Sequence, residues 1–402
     1  MPLSRDARLL FTARIVRLFA YGFIAVVLVL YLASIGLDGE RIGLLLSLTL
    51  FGDVLVSLVL TTRADAIGRK RTLLAGALLM IGAAIVFALT RDFTLLVLAA
   101  TIGVISPSGN EVGPFLAIEQ VALAQAAEGR DRTALFAWYN LAGSFATAAG
   151  SLAGGFFTGV LQQRGFSEPA SYRAAIVGYA VLGAMLALVF SRVSSAVEGE
   201  RIARPVRNLF RVEQSRGVVA RLSALFALDS FAGGLVVQSI VAYWFVRRFG
   251  LGPEVLGAIF FGANLLAGIS ALAAARIAKR IGLLNTMVFT HLPSNVLLIL
   301  VPLMPTLPLA IAVLLLRFSI SQMDVPTRQA FVLAAVDPSE RTAAAGITGV
   351  ARTTGAALAP ILAMPLIASL PLDWIPFVAA GVLKIVYDLL LLRSCRNVRL
   401  ES

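Results

Sequence analysis

The sequence predicts an all-α integral membrane protein, with twelve transmembrane helices in two pseudo-symmetric six-helix bundles. Three observations carry this prediction. The first is composition: of 402 residues, 59% are hydrophobic and only 14% charged, and the mean hydropathy is +0.89. A water-soluble chain of this length has no means of covering so much apolar side chain, so lipid is its solvent. The second is length. Apolar residues gather into stretches of the roughly 20 residues that one crossing needs. They lie near 10–33, 41–61, 72–90, 94–116, 133–160 and 173–191, then near 221–245, 255–277, 286–304, 309–333, 343–368 and 375–393. Each must be helical, because backbone facing lipid has to satisfy its own hydrogen bonds, and the alternation of a transmembrane barrel is absent. The third is internal repetition. Gly36, Leu37, Glu40 and Gly43 recur as Gly250, Leu251, Glu254 and Gly257. Ser106, Ser108, Glu111 and Val112 recur as Ser319, Ser321, Asp324 and Val325. Asp131, Arg132 and Thr133 recur as Glu340, Arg341 and Thr342, the three offsets being 214, 213 and 209 residues. Two like membrane bundles offer a site at their interface, the architecture of a secondary transporter.

The repeat divides the chain into an N-terminal six-helix bundle at 1–190, a polar linker at 191–220 and a C-terminal six-helix bundle at 221–402. Basic residues orient it. With both termini in the cytoplasm, the inner side collects Arg69, Lys70 and Arg71, the arginines from Arg192 to Arg221, Lys279 and Arg280, and Arg393, Arg396 and Arg399. The outer side keeps only Arg41, Arg91, Arg164, Arg173, Arg247 and Arg248. This positive-inside bias accounts for the net charge of +12 without nucleic acid, because the basic residues are dispersed over loops with no recognition fold around them. The first span is too long for a cleaved signal segment. The expected location is the bacterial inner (plasma) membrane. A single cysteine, Cys395, excludes an intrachain disulfide and a cysteine-based metal site, and no cofactor is expected.

Charges inside spans are expensive in lipid and are functional candidates by default. Span 1 contributes Arg17 and span 2 contributes Asp53, while Arg14 falls within span 1 without being singled out. Span 4 presents Ser108, Glu111, Phe115 and Glu119 as one helical stripe, with Ser108 three residues before Glu111 so that its hydroxyl can bond that carboxyl. No cation stands at the matching place in span 5, where Gly143 lies, so Glu111 is expected to be unpaired and able to exchange a proton near neutrality. It is the first candidate for proton coupling, with Asp324 second and Asp53 third. Span 5 carries the small residues Gly150, Gly154 and Gly155, which let helices approach closely.

The second half follows the same order. Asp229 in span 7 occupies the place of Arg17 in span 1, and the two opposite charges suggest a gate between the halves, although Arg17 is equally able to snorkel to the headgroups. In span 9 His291, the only histidine, is read as structural. Span 10 spaces Arg317, Ser321, Asp324 and Arg328 by four, three and four residues, a single polar stripe. Depth makes an ion pair between Asp324 and Arg352 of span 11 plausible. Pro360 in span 11 is placed to kink that helix. Lys384 and Asp388 of span 12 are i,i+4 neighbours expected to satisfy each other.

Between spans 2 and 3, Asp65, Gly68, Arg69 and Lys70 form an Asp-x-x-Gly-Arg-Lys motif. It resembles the signature loop of the major facilitator superfamily, in which a glycine usually stands at the position of Thr61. Lys279, Arg280 and Gly282 form a degraded copy in the second half. The resemblance spans the whole chain, and it continues from Met323 to Phe331, through Glu340 to Thr342, and on to Gly346 and Thr348. It implies that Asp65, Gly68, Arg69 and Lys70 latch the cytoplasmic side, with Glu119 as their acidic partner. It also implies that spans 1, 4, 7 and 10 line the central cavity, that the chain works by alternating access, and that it works as a monomer. The run from Gly150 to Gly155 is similar to the Gly-Pro-x-x-Gly-Gly motif of drug:proton antiporters, with Ser151 at the proline position and Ala146 where an upstream glycine is expected.

The leading functional expectation is proton-coupled efflux of small organic compounds, drawn from the glycine run of span 5 and the carboxylates at depth; the alternative is proton-coupled uptake or exchange of an organic anion. The second is suggested by Arg317, Arg328 and Arg352, whose guanidinium groups suit a carboxylate or phosphate. The expected partners are a small-molecule substrate, protons and the lipid bilayer. No hydrolase, zinc-protease or nucleotide-loop motif supports an enzyme or direct ATP drive.

Overall fold

The computed structural model describes residues 4–126, 132–194, 197–198 and 212–396. The middle of the linker, Asp131 of the third repeat and the side chain of Asp65 lie outside the described residues. Helix α1 (Arg5–Ser34) starts at Ser4, whose hydroxyl accepts the Ala7 N–H. Helix α2 (Gly39–Ile67) starts at Asp38, which caps Arg41, and α3 (Arg69–Leu89) follows after one residue, Gly68, at φ +108°. The signature segment is therefore helical up to Ile67, and its turn is a single glycine in the left-handed half of backbone space that glycine tolerates.

Then come α4 (Phe93–Ile102), α5 (Phe115–Ala126), α6 (Arg132–Gln163) and α7 (Glu168–Ser191). Beyond the linker lie α8 (Arg216–Gly234), α9 (Gln238–Phe249), α10 (Pro253–Ile281), α11 (Leu283–Leu300) and α12 (Leu307–Phe318). The chain closes with α13 (Asp324–Ala334), α14 (Arg341–Ala357), α15 (Pro360–Ala368) and α16 (Ile375–Cys395).

Among the described residues ten helical segments are long and apolar enough to cross a membrane. The two expected spans missing from that set, 4 and 10, are present as pairs of shorter helices, α4 with α5 and α12 with α13. Span 4 is interrupted over 103–114, where Gly103, Pro107, Gly109, Gly113 and Pro114 fall within twelve residues, with Gly109 at φ +70° and Gly113 at φ +81°. Proline removes a backbone donor and a positive φ ends a helix. Span 10 is interrupted over 319–323, just ahead of Pro326 in the first turn of α13. There the proline is tolerated, whereas a continuous helix would press its ring against the carbonyl four residues earlier. Span 11 breaks before Pro360, with the proline opening α15. Span 7 breaks after Gly233 and Gly234, between α8 and α9.

The chain forms two compact units. One comprises 1–203 with Gln238–Phe261, and the other 204–237 with Gly262–Ser402. The boundary therefore differs from a simple six-plus-six division, because α9 and the start of α10 belong to the first unit. In that unit α1 is buried along most of its length against α6 and α7. Glycine makes this possible: a Cβ at Gly150 would collide with the Phe19 carbonyl, at Gly154 with the Phe23 carbonyl, and at Gly22 with the Thr147 carbonyl. Gly155 meets Pro253 and Gly257 in the same way. The glycine run of span 5 is thus accounted for by backbone-to-backbone packing. The second unit repeats the device, with Gly355 of α14 against the Ala227 carbonyl of α8. Its apolar core gathers Phe226, Met287, Phe331, Tyr387 and Leu391.

Candidate functional site

Each unit holds a buried network of charges at a broken helix. In the first unit Arg14 and Arg17, one turn apart on α1, face the break in span 4. Arg14 donates to Glu111 Oε2 at 2.8 Å, to the Tyr139 carbonyl at 3.0 Å and to Asn140 Oδ1 at 3.2 Å. Arg17 donates to Glu111 Oε1 at 2.8 Å and makes a bidentate pair with Glu119 of α5, at 2.5 and 2.7 Å. The Tyr139 hydroxyl of α6 also donates to Glu119. Arg17 and Glu119 are fully buried. One forked guanidinium–carboxylate pair, Arg17 with Glu119, and one carboxylate shared between two arginines, Glu111, with added hydrogen bonds, are forms in which such burial is tolerated.

The irregular backbone of 103–114 is satisfied by side chains from four helices. Tyr21 of α1 donates to the Val112 carbonyl at 3.0 Å, Tyr179 of α7 to Val104 at 2.8 Å, and Thr147 of α6 to Gly109 at 3.4 Å. Asp53 of α2 accepts the Gly113 N–H at 2.6 Å. Non-helical backbone at membrane depth persists only where protein supplies its hydrogen bonds.

In the second unit Asp229 of α8 is the hub. Its Oδ1 accepts from Lys384 of α16 at 2.5 Å, and its Oδ2 from Arg328 of α13 at 2.9 Å. Arg328 also pairs with Asp324 at 3.0 Å. Asp324 is the first residue of α13, and Arg317 lies in the last turn of α12. An anion at a helix start and a cation at a helix end each suit the helix dipole. Asp388 of α16 is fully buried. It lies 3.0 Å from His291 Nδ1 and accepts from Asn295 Nδ2 at 2.9 Å.

Several expectations are corrected by this geometry. Ser108, Glu111 and Glu119 do not share one helical stripe, nor do Arg317, Ser321, Asp324 and Arg328, because proline and glycine break both helices. Ser108 bonds the Asn110 N–H and not Glu111, and Ser321 is buried with no partner for its hydroxyl among the described residues. Glu111 is not unpaired: its cations come from α1 and not from span 5. Asp324 pairs with Arg328 one turn away and makes no ion pair with Arg352, since the short α13 brings its own cation within reach. Lys384 and Asp388 turn to different helices, Lys384 to Asp229 and Asp388 to His291. Arg17 does not snorkel, and it and Asp229 are each neutralised inside their own unit. Glu119 binds Arg17 and Tyr139. The N–H groups of Arg69 and Lys70 donate to Glu198 at 2.7 and 3.2 Å, and the Arg69 guanidinium to the Val197 carbonyl at 3.2 Å.

Some charges are left over. In the first unit Asp53 meets only the Gly113 N–H and the Ser57 hydroxyl, at 3.2 Å, and no cation among the described residues pairs with it. In the second, Arg317 and Arg352 make no hydrogen bond or ion pair among the described residues, and the Nε of each is buried without a partner. Both lie within electrostatic reach of Asp229 and Asp324. Arg14 was legible only as an in-span charge. Its three-residue spacing from Arg17 was the signal that the two act on one face.

Discontinuous membrane helices around buried charge, in two units related by an internal repeat, define a secondary transport protein. The family model described as the Major Facilitator Superfamily matches residues 10–360, and the chain belongs to that family. It is therefore a multi-pass membrane transporter and not an enzyme. It is 30% identical to the uncharacterised membrane protein YJR124C of Saccharomyces cerevisiae, over 96% of this chain and 93% of the yeast protein. Its fold is similar to that of the nucleoside transporter NupG, with a TM-score of 0.74 and 16% identity over 97% of this chain and 99% of that one. A D-xylose–proton symporter is similar to the same degree, with a TM-score of 0.74 and 13% identity over 96% of each chain.

Proposed function

We propose that this chain is a proton-coupled transporter of an organic anion bearing a carboxylate or phosphate, working as a monomer by alternating access, with both termini in the cytoplasm of a bacterial cell. One observation carries the substrate class: the guanidinium groups of Arg317 and Arg352 meet no carboxylate or other hydrogen-bond acceptor among the described residues, and the Nε of each is buried. Asp229 and Asp324 are taken up by Arg328 and Lys384, and Asp388 is engaged by His291 and Asn295, so Arg317 and Arg352 are in excess of the carboxylates among the described residues. A membrane interior does not hold two surplus cations cheaply, and planar guanidinium forks match carboxylate and phosphate oxygens. Half-helix ends beside the surplus charge are where carriers bind substrate. A D-xylose–proton symporter uses this fold, which supports a proton as coupling ion. The alternative, efflux of small organic compounds, drew on the glycine run of span 5, and helix packing accounts for that run.

The test is transport into proteoliposomes under pH gradients of either polarity, with labelled succinate, citrate and phosphate as anions and uridine and xylose as neutral comparators. An anion is expected to accumulate, and Arg317→Gln and Arg352→Gln are each expected to lower its transport by about tenfold or more. The polarity that drives accumulation assigns the direction. Movement of neutral compounds alone, or anion transport indifferent to both substitutions, would overturn the proposal.

A further inference from the structure

The peptide unit joining Val112 to Gly113 is held from both sides. Its carbonyl accepts the Tyr21 hydroxyl of α1 at 3.0 Å, and its N–H donates to Asp53 Oδ1 of α2 at 2.6 Å. Gly113, at φ +81°, ends the irregular segment of span 4. A Cβ there would sit 3.0 Å from the Phe115 ring and 3.2 Å from Val104, so the turn admits little besides glycine. The residues on either side of this peptide carry the first unit's ion network. Glu111 lies immediately before it and binds Arg14 and Arg17. Phe115, the first residue of α5, lies under the Arg17 guanidinium at 4.7 Å, and α5 carries Glu119. The position of 112–113 therefore governs how the break presents its charges.

Asp53 is the one carboxyl of this network with no cation among the described residues. Arg14 and Arg17 serve Glu111 and Glu119, which leaves Asp53 held by an amide N–H and the Ser57 hydroxyl. The titratable groups facing the clamp are Tyr21 of α1, Glu111 in the break and Tyr179 of α7, which bonds the far end of the break at Val104. Arg17 of α1 stands behind Glu111, and Glu119 of α5 stands behind Arg17.

We propose that Asp53 is a proton-binding residue that clamps the span 4 break when ionised and releases it when protonated. The step adds one proton to one carboxylate, with no electron transfer. It replaces a charge-assisted N–H···O bond with a weaker neutral one, so that the Gly113 N–H, and with it the segment carrying Glu111, is freed to move. This deepens the proton-coupled reading of the previous section and rests on it for its biological role. The clamp itself is tested without substrate.

Two measurements on purified protein decide it. Difference infrared spectroscopy as pH is lowered through the neutral range is expected to show a protonated carboxyl band in the wild type that Asp53→Asn lacks. Hydrogen exchange of peptides covering 103–114, corrected for intrinsic rates, is expected to quicken by about tenfold over the same range in the wild type and to be independent of pH in Asp53→Asn. An unchanged band, or the same pH dependence of exchange in both proteins, would overturn the proposal. Should Asp53→Asn fail to fold, Ser57→Ala removes one bond from the carboxylate and is expected to move the exchange midpoint to higher pH, and no movement would equally overturn it. Because neither readout involves transport, a failure here leaves the substrate proposal standing, and a failure of transport leaves the clamp standing.

Discussion

At the residue scale the second unit turns on one carboxylate. Asp229 neutralises Lys384 and Arg328 at once, at 2.5 and 2.9 Å, while itself only 5% exposed. Replacing it by asparagine leaves the buried Lys384 without its carboxylate and Arg328 with Asp324 alone, and losing one member of such a set costs about 3–5 kcal/mol. Asp229→Asn should therefore lower the unfolding temperature in detergent sharply, and Asp229→Asn combined with Lys384→Met should recover most of that loss. Asp388→Asn should cost only about 1–2 kcal/mol, since an amide keeps a hydrogen bond to Asn295 or His291. Equal losses for Asp229→Asn and Asp388→Asn in the same melts would refute this ranking. Which residues carry charge at depth was legible in the sequence. Their pairing was not: Asp388 and Lys384 are one turn apart, yet each finds a better partner on a neighbouring helix, and helical spacing says nothing about neighbours.

At the element scale the broken helices dominate. Gly113→Ala puts a side chain at φ +81° against Phe115 and Val104, a strain of about 1–3 kcal/mol. It should lower thermal stability by that amount, whereas Gly82→Ala, with open space at its Cβ, should leave stability unchanged or raise it slightly. Gly150→Val sets a branched side chain against the Phe19 backbone, which cannot swing aside as a side chain can. The expected result is loss of monodisperse protein on size exclusion, and a normal elution profile would argue against close α1–α6 contact. Apolar length marked span 4 as one helix, and the prolines and glycines between 103 and 114 break it into α4 and α5. Hydropathy is blind to backbone breakers. The Ser–Glu motif repeated in span 10 proved to mark the discontinuity itself.

At the scale of the whole molecule, the chain is two compact units whose linker is fastened at both ends. Glu198 accepts the N–H groups of Arg69 and Lys70 at the start of α3, and Asp6 accepts both the N–H and the hydroxyl of Ser194. On the second unit Glu340 accepts the N–H groups of Glu213, Gln214 and Ser215 at 2.6, 2.8 and 2.8 Å. Glu340→Gln should speed amide exchange at 213–215 by about tenfold while exchange within α8 stays unchanged. A uniform rise across α8 would mean that Glu340 supports the unit and not merely the linker end. The recurrence of Asp131 as Glu340 flagged this residue, but only the folded chain shows that it grips backbone 125 to 127 residues before it in sequence.

The sequence by itself determined the solvent, the number of crossings, the two-fold repeat and the family, because these follow from composition, apolar length and local motifs. It also determined which side chains carry charge where lipid makes charge costly. Tertiary structure alone decided that Glu111 is shared by Arg14 and Arg17, that Asp53 grips the Gly113 amide, and that Arg317 and Arg352 pair with no carboxylate among the described residues. The reason is geometric: a buried charge settles on the best partner that packing brings within about 3 Å, and across neighbouring helices that partner is set by crossing points and breaks, which no periodicity along one helix records.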